Sequence, residues 1–243
     1  MLVGVGHGSR DPRSAATVSA VLAAVAAARP WQPVRTAFLD LNAPSVDRVL
    51  DAVAGAGHRH AVVVPLLLGS AFHARVDLPG LLATARSRHP LLRIDQAGVL
   101  GPDVRLLDVL ADRVREALDA GLSEHGDELG VILAAVGASS AAANARTRLV
   151  ADEFAARTGL RTEVCFATTD PGVQVARERL RARGARRIVV APYFLAPGLL
   201  TDRIADAAPE LAHAAALGAH PALTELIWDR YDAAVAERHT LSA

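Results

Sequence analysis

An α/β fold of two similar lobes, each a mainly parallel sheet flanked by helices and separated by a cleft, is what three features of this sequence predict. The first is the opening run Leu2 to Gly6, which stops abruptly at His7-Gly8-Ser9 and reads as a buried strand followed by a tight strand-to-helix turn. The second is Ala61 to Leu68, the most apolar strand candidate in the chain and therefore a central one. The third is an internal duplication. Pro65 falls on Pro192, Pro44 on Pro171 and Ser9 on Ser139 when the halves are laid over one another.

Taken in order, Arg13 to Arg29 has helical spacing and ends at Pro30 to Pro33, and Val34 to Leu41 completes a βαβ unit. A helix from Ser45 to Gly55, the Ala61 strand, a helix from about Val76 to Arg88, a strand at Leu91 to Ile94 and a helix from about Asp103 to Ala120 follow. Gly121 to Glu128 is polar and reads as a linker, dividing an N-terminal lobe, 1–122, from a C-terminal repeat, 126–243. The second half restarts with a strand at Leu129 to Val136, a helix at Ala141 to Arg157 and a strand at Arg161 to Ala167. A helix from Pro171 to Arg183, capped at Gly184, and a strand from Arg187 to Leu195 complete the visible repeat.

Bulk composition narrows the function. Hydrophobic residues make up 51% and charged residues 21% of the 243, and Lys+Arg equals Asp+Glu at 26 each. That balance supplies no electrostatic reason to expect nucleic acid or an anionic membrane as partner. The single cysteine, Cys165, rules out an intramolecular disulfide and a multi-cysteine metal site, and it fits a reducing cytoplasm. The apolar stretch from Ala61 to Phe72 is too short to span a bilayer and contains Pro65, and the first residues lack a basic leader.

His7, Asp40 and His73 fall at or just beyond the carboxyl ends of the first three strands, where open parallel sheets bind ligands. In the overlay they correspond to Gly137, Ala167 and Leu200, so the second half keeps the scaffold and loses each group able to bind a metal or take a proton. Two imidazoles and a carboxylate suit Fe, Co, Ni or Zn, and with positions left for solvent the site is open. It can hold a metal loosely, take protons, or both. Gly4-Val5-Gly6-His7-Gly8-Ser9 lacks the third glycine of a dinucleotide fingerprint and has no acid about 20 residues on. A histidine phosphatase turn would carry Arg before the histidine, where this chain has Gly6, and no Gly-x-Ser-x-Gly elbow occurs.

Three blocks in order, His7-Gly8-Ser9-Arg10-Asp11-Pro12, Phe38-Leu39-Asp40-Leu41-Asn42-Ala43-Pro44-Ser45-Val46, and Pro65-Leu66-Leu67-Leu68 with His73-Ala74-Arg75-Val76-Asp77-Leu78-Pro79, resemble the signatures of the sirohydrochlorin chelatases of the CbiX/SirB type. The resemblance implies a cytoplasmic metal-inserting lyase that places a divalent ion in sirohydrochlorin for sirohaem or cobalamin. Members with two lobes carry a degenerate second repeat. It puts the metal-site histidines on His7 and His73, which would also be catalytic, and the third ligand on Asp40, where the family commonly has Glu. The metal is then a substrate, Fe2+ first and Co2+ next, with Ni2+ also admissible, and no organic cofactor is implied. A polycarboxylated macrocycle calls for cations and helix N-termini, which nominates Ser9, Arg10, Arg13, Ser70, Arg75 and, in the second lobe, Arg203. A monomer with two pseudo-symmetric lobes is expected. The rival readings are a non-catalytic metal or tetrapyrrole carrier and a histidine-phosphatase-like phosphomonoesterase. His58 and His60 read as exposed turn residues, and Cys165 as a small core residue.

Overall fold

The structure, a computed structural model, describes residues 1–69, 77–119 and 128–241. It contains two four-stranded parallel sheets. The first has the order β2-β1-β3-β4, built from β1 (Leu2–Gly6), β2 (Val34–Phe38), β3 (His60–Pro65) and β4 (Arg93–Gln96). The second repeats it as β6-β5-β7-β8, from β5 (Leu129–Ala135), β6 (Arg161–Phe166), β7 (Arg187–Pro192) and β8 (Ala212–His213). Helices α1 (Pro12–Ala28), α2 (Val46–Gly55) and α3 (Leu78–Arg88) cross over within the first sheet, and α5 (Ala141–Thr158), α6 (Val173–Ala182) and α7 (Leu199–Ala207) within the second. The expected class, two similar parallel sheets each flanked by helices, is the one observed.

Parallel pairing buries both faces of β1, which explains why its five residues are apolar or glycine throughout. Val3 and Val5 point into a cluster with Val49, Leu50, Leu78 and Leu82 from α2 and α3. The opposite face is held close by missing side chains: a Cβ on Gly4 would lie 2.3 Å from Leu22 of α1. Ala61 to Val64 are fully buried, in keeping with an interior β3.

The compact units do not divide at the polar stretch around Gly121. One is Met1–Asp103 with Gly218–Ala243, the other Val104–Leu217. Two helices that the lobes 1–122 and 126–243 would assign by chain order are therefore exchanged. Helix α4 (Val104–Asp119) belongs with the second sheet and α8 (Pro221–Leu241) with the first. The reason lies in α8, for which the sequence reading named no helix. Its Leu223, Leu226, Ile227 and Trp228 are buried, the Trp228 indole donates to the carbonyl of Val25 in α1 at 3.2 Å, and Arg29 stacks 4.4 Å over the ring. Arg29 also forms a bidentate pair with Asp232 at 2.7 and 2.8 Å, and Arg230 donates to the carbonyls of Val99 and Leu100.

Truncating that anchor leaves a large cavity against α1, so Trp228→Ala should cost about 3–5 kcal/mol of stability in a urea titration followed by circular dichroism. An unchanged midpoint would mean that α8 is not part of the first core.

Candidate functional site

Strand β1 delivers His7 to the carboxyl edge of the first sheet, and β2 delivers Asp40 beside it. The strands pair in register up to Gly6 against Phe38, and the pairing continues beyond them: the Leu39 amide donates to Gly6 and the Asp40 amide to the His7 carbonyl, both at 3.0 Å. Gly8 then turns the chain at φ 97°, and a Cβ there would sit 1.8 Å from the Asp40 carbonyl oxygen. The two turns touch backbone to backbone, and only glycine permits it.

His7 is exposed, and its Nδ1 lies 3.2 Å from the Gly8 carbonyl. A carbonyl only accepts, so in this contact Nδ1 donates; the neutral tautomer that does so carries its lone pair on Nε2. Asp40 is also exposed, and its Oδ1 accepts from the Leu41 amide at 2.8 Å. Ser9 faces inward to its own turn: its hydroxyl accepts from the Asp11 amide at 3.0 Å, and its amide donates to Oδ1 of Asn42 at 2.7 Å. An open hollow of about 420 Å³ is lined by residues 39–45 and Arg48.

The candidate cations differ. Arg10 is exposed and pairs with no described residue. Arg13 is committed to Asp11, the N-cap of α1, through a 2.5 Å ion pair and further bonds from Nε. Those hydrogen bonds hold the Asp11 carboxyl below the usual carboxylate range. Arg203 is exposed on α7 of the second unit, its Nη1 3.4 Å from the Ala167 carbonyl. Ser70, His73 and Arg75 lie outside the described residues. Among the described residues no three of His, Cys, Asp and Glu come together in a metal cage.

Sheet register corrects the overlay of the halves. Ala135 pairs with Phe166 as Gly6 does with Phe38, and the Thr168 amide donates to Val136 as that of Asp40 does to His7. His7 therefore corresponds to Val136 rather than Gly137, Asp40 to Thr168 rather than Ala167, and Gly8 to Gly137, which shares its positive φ at 86°. Ser9 falls on Ala138, not Ser139. The pairing of His73 with Leu200 falls on a residue outside the described ones, while Leu200 itself lies inside α7. Neither Val136 nor Thr168 is a metal ligand, so the loss of His7 and Asp40 from the second repeat stands on the corrected register.

Elsewhere, His60 is no exposed turn residue: it opens β3, half-buried, with Nε2 2.8 Å from Asp95. Cys165 is buried as expected, and burial pushes its thiol up to about 12. Asn42 and the Asp11–Arg13 pair carried no role in the sequence reading. An asparagine near proline signals only a turn, and nothing local says across which gap its side chain will bond.

The CbiX family model matches residues 1–117 and 130–234. The chain belongs to the CbiX family. Among CbiX relatives, a sirohydrochlorin cobaltochelatase of Priestia megaterium is 26% identical over 93% of this chain and 77% of its own length. A sirohydrochlorin ferrochelatase of Bacillus subtilis is 26% identical over 82% of this chain and 76% of its own. A shorter cobaltochelatase of Methanosarcina acetivorans is 30% identical and covers 48% of this chain with 95% of its own length. Among solved structures, SirB from Bacillus subtilis with Fe3+ superposes with a TM-score of 0.81 at 23% identity, covering 98% of this chain and 96% of that one. At that identity the likeness establishes the fold.

Two outcomes follow from the turn geometry. Gly8→Ala should destabilise the protein by at least about 2 kcal/mol through clash and backbone strain, while Gly55→Ala, whose Cβ would meet nothing within 4 Å, should be neutral or slightly stabilising in the same urea titration. The lowered Asp11 value means that its contribution is present above the ordinary carboxylate range and is lost as pH falls through the native value. Asp11→Ala should thus lower the urea midpoint at neutral pH, with the gap to the parent closing below about pH 4.

Proposed function

We propose that this protein is a sirohydrochlorin chelatase, a metal-inserting lyase whose first repeat carries the chemistry. The observation behind the reading is the pairing of His7 with Asp40 at the carboxyl edge of the first sheet, set against Val136 and Thr168 at the same edge of the second. Metallating a tetrapyrrole requires a divalent ion brought to the ring centre and two pyrrole protons taken away. An exposed imidazole, in its neutral form, can ligate the ion weakly enough to release it, or accept a proton. His7 and His73 are the proposed catalytic and metal residues. Asp40 is the third ligand, through the oxygen that does not hold the Leu41 amide.

Of Arg10 and Arg13, Arg10 is the better carboxylate clamp, because Arg13 is already engaged by Asp11. Ser9, Ser70, Arg75 and, on the second unit, Arg203 complete the proposed substrate contacts. The relatives' names divide between cobalt and iron, and imidazole and carboxylate ligands suit both. Fe2+ is placed first and Co2+ second, since no histidine-rich cobalt or nickel store accompanies the site in the sequence. A cytoplasmic monomer agrees with a chain whose one cysteine is a buried thiol.

An anaerobic absorbance assay with sirohydrochlorin and Fe2+, Co2+ or Ni2+ tests the reading. Multiple turnovers are expected. Stoichiometric binding without turnover would make the protein a carrier, and release of phosphate from a generic ester would make it a phosphatase. His7→Ala and His73→Ala should each lower turnover at least about tenfold with the circular dichroism spectrum unchanged, in line with the loss of a proton-transfer or ligand group. Parent rates in both variants would remove the assignment.

A further inference from the structure

We propose that Asn42 is the positioning residue that fixes the His7 turn against the Asp40 turn, an inference that rests on the metallation reading of His7. Ordinary strand pairing carries the two segments together only as far as the Asp40 amide and the His7 carbonyl. Beyond that point Gly8 swings the chain away into α1, and no further ladder bond can form. The next tie is made by a side chain: Oδ1 of Asn42 accepts from the Ser9 amide at 2.7 Å. His7 therefore sits between two ties to one loop, its own carbonyl on one side and Ser9 on the other.

Bringing Asn42 back to Ser9 requires the loop to reverse at Leu41, which adopts φ 61° and is the one non-glycine residue with positive φ among those described. L-residues avoid that conformation, so surrounding bonds must hold it there. Asp40 supplies them: its carbonyl accepts from the Asn42 amide at 2.7 Å and its Oδ1 from the Leu41 amide at 2.8 Å. One residue thus braces the reversal and offers a carboxylate at the site.

The second unit is a built-in control. It keeps the first tie, Thr168 amide to Val136 carbonyl at 3.1 Å, and it keeps the glycine at φ 86°. Its side-chain bond across the gap runs instead from the Thr168 hydroxyl to the Val136 carbonyl at 2.8 Å, and no side chain of that loop is bonded to Ala138. There the amide and carbonyl of Ala138, the counterpart of Ser9, are both bonded at 2.8 Å by Asn144 of α5, inside the same strand-to-helix turn. The loop from Phe166 to Pro171 is also one residue shorter than that from Phe38 to Pro44. A turn of this shape therefore folds without an asparagine reaching across from the neighbouring loop. The asparagine tie to the residue after the glycine occurs in the unit that carries the histidine, which assigns it to the register of His7 against Asp40 rather than to the fold.

The test compares Asn42→Leu, which keeps the volume and removes the acceptor, with Asn42→Asp, which keeps an acceptor oxygen. Ser9 amide exchange is read by NMR, Co2+ affinity by titration of the metal-free protein, and metallation of sirohydrochlorin by steady-state kinetics. Asn42→Leu should deprotect the Ser9 amide, weaken Co2+ and lower kcat, each by about tenfold or more, with KM for sirohydrochlorin within about twofold and melting temperature near the parent's, as expected of a ligand misplaced by a fraction of an ångström. Asn42→Asp should recover most of all three losses. Parent-like kcat and Co2+ affinity in Asn42→Leu would overturn the proposal, as would a failure of Asn42→Asp to recover them. Should Asn42→Leu not fold, Asn42→Gln, which displaces the acceptor by one methylene, is read by the same criteria. If the parent itself does not metallate sirohydrochlorin, the proposed function falls, and the Co2+ titration with Ser9 exchange still decides the role of Asn42.

Discussion

The approach of the Gly8 backbone to the Asp40 carbonyl is the constraint on which the candidate site depends. A Cβ in that gap would lie 1.8 Å from the oxygen, so the two turns touch without any side chain between them. Parallel pairing of β1 with β2 sets the register up to Gly6 and Phe38, and contact between the turns carries it one step further, to His7 and Asp40. Two groups of opposite chemistry are thereby held side by side at the sheet edge while both remain exposed. Exposure suits a metal that is cargo. A closed cage would retain the ion, whereas an imidazole and a carboxylate with room for solvent can pass it on.

A close approach recurs in the second unit, where Gly137 keeps a positive φ, but there a Cβ would meet side-chain atoms of Thr169, Phe166 and Thr168 at 2.8–3.0 Å rather than a backbone carbonyl. Geometry and chemistry have separated there: the glycine stays because the turn needs it, and the positions of the proposed ligands His7 and Asp40 hold Val136 and Thr168. A histidine at position 136 alone would therefore meet a correctly shaped turn with no carboxylate opposite and no cross-loop asparagine. Metal ligands act through the groups that orient them, and the second unit has neither the proposed ligands nor the asparagine proposed to position them.

Much of this was legible in the chain before any coordinates. Strands buried on both faces announce themselves as unbroken apolar runs, and glycine and proline mark their ends, so β1, β3, β5 and β7 were found within a few residues. His7 and Asp40 were legible for the same reason, as polar residues immediately beyond such runs. The repeat register was not. Matching prolines fix the overlay at Pro65 and Pro192, but the insertion of one residue between β2 and α2 shifts it for the segments before them, and only hydrogen-bond register reveals where. Asn42 shows no role in the sequence, since its bond crosses from one loop to another and leaves no periodic signal.

The exchange of α4 and α8 escaped the sequence for a different physical reason. An amphipathic helix states that it has an apolar face and does not state which sheet receives it. Chain order suggested that α4 would cover the sheet it follows, yet its buried Leu106, Leu107, Val109 and Leu110 belong with the second unit, and the first sheet is completed by the last helix of the chain. Each unit thus takes one covering helix from the far side of the sequence. A break in the chain at the polar stretch near Gly121 would leave the first sheet without α8, and with it the Val25 carbonyl without its indole donor and Arg29 without Trp228 and Asp232. Helix α1 begins four residues beyond Gly8 and is clasped by α8 at its other end. The last helix of the chain therefore supports the same βα unit whose first turn presents His7.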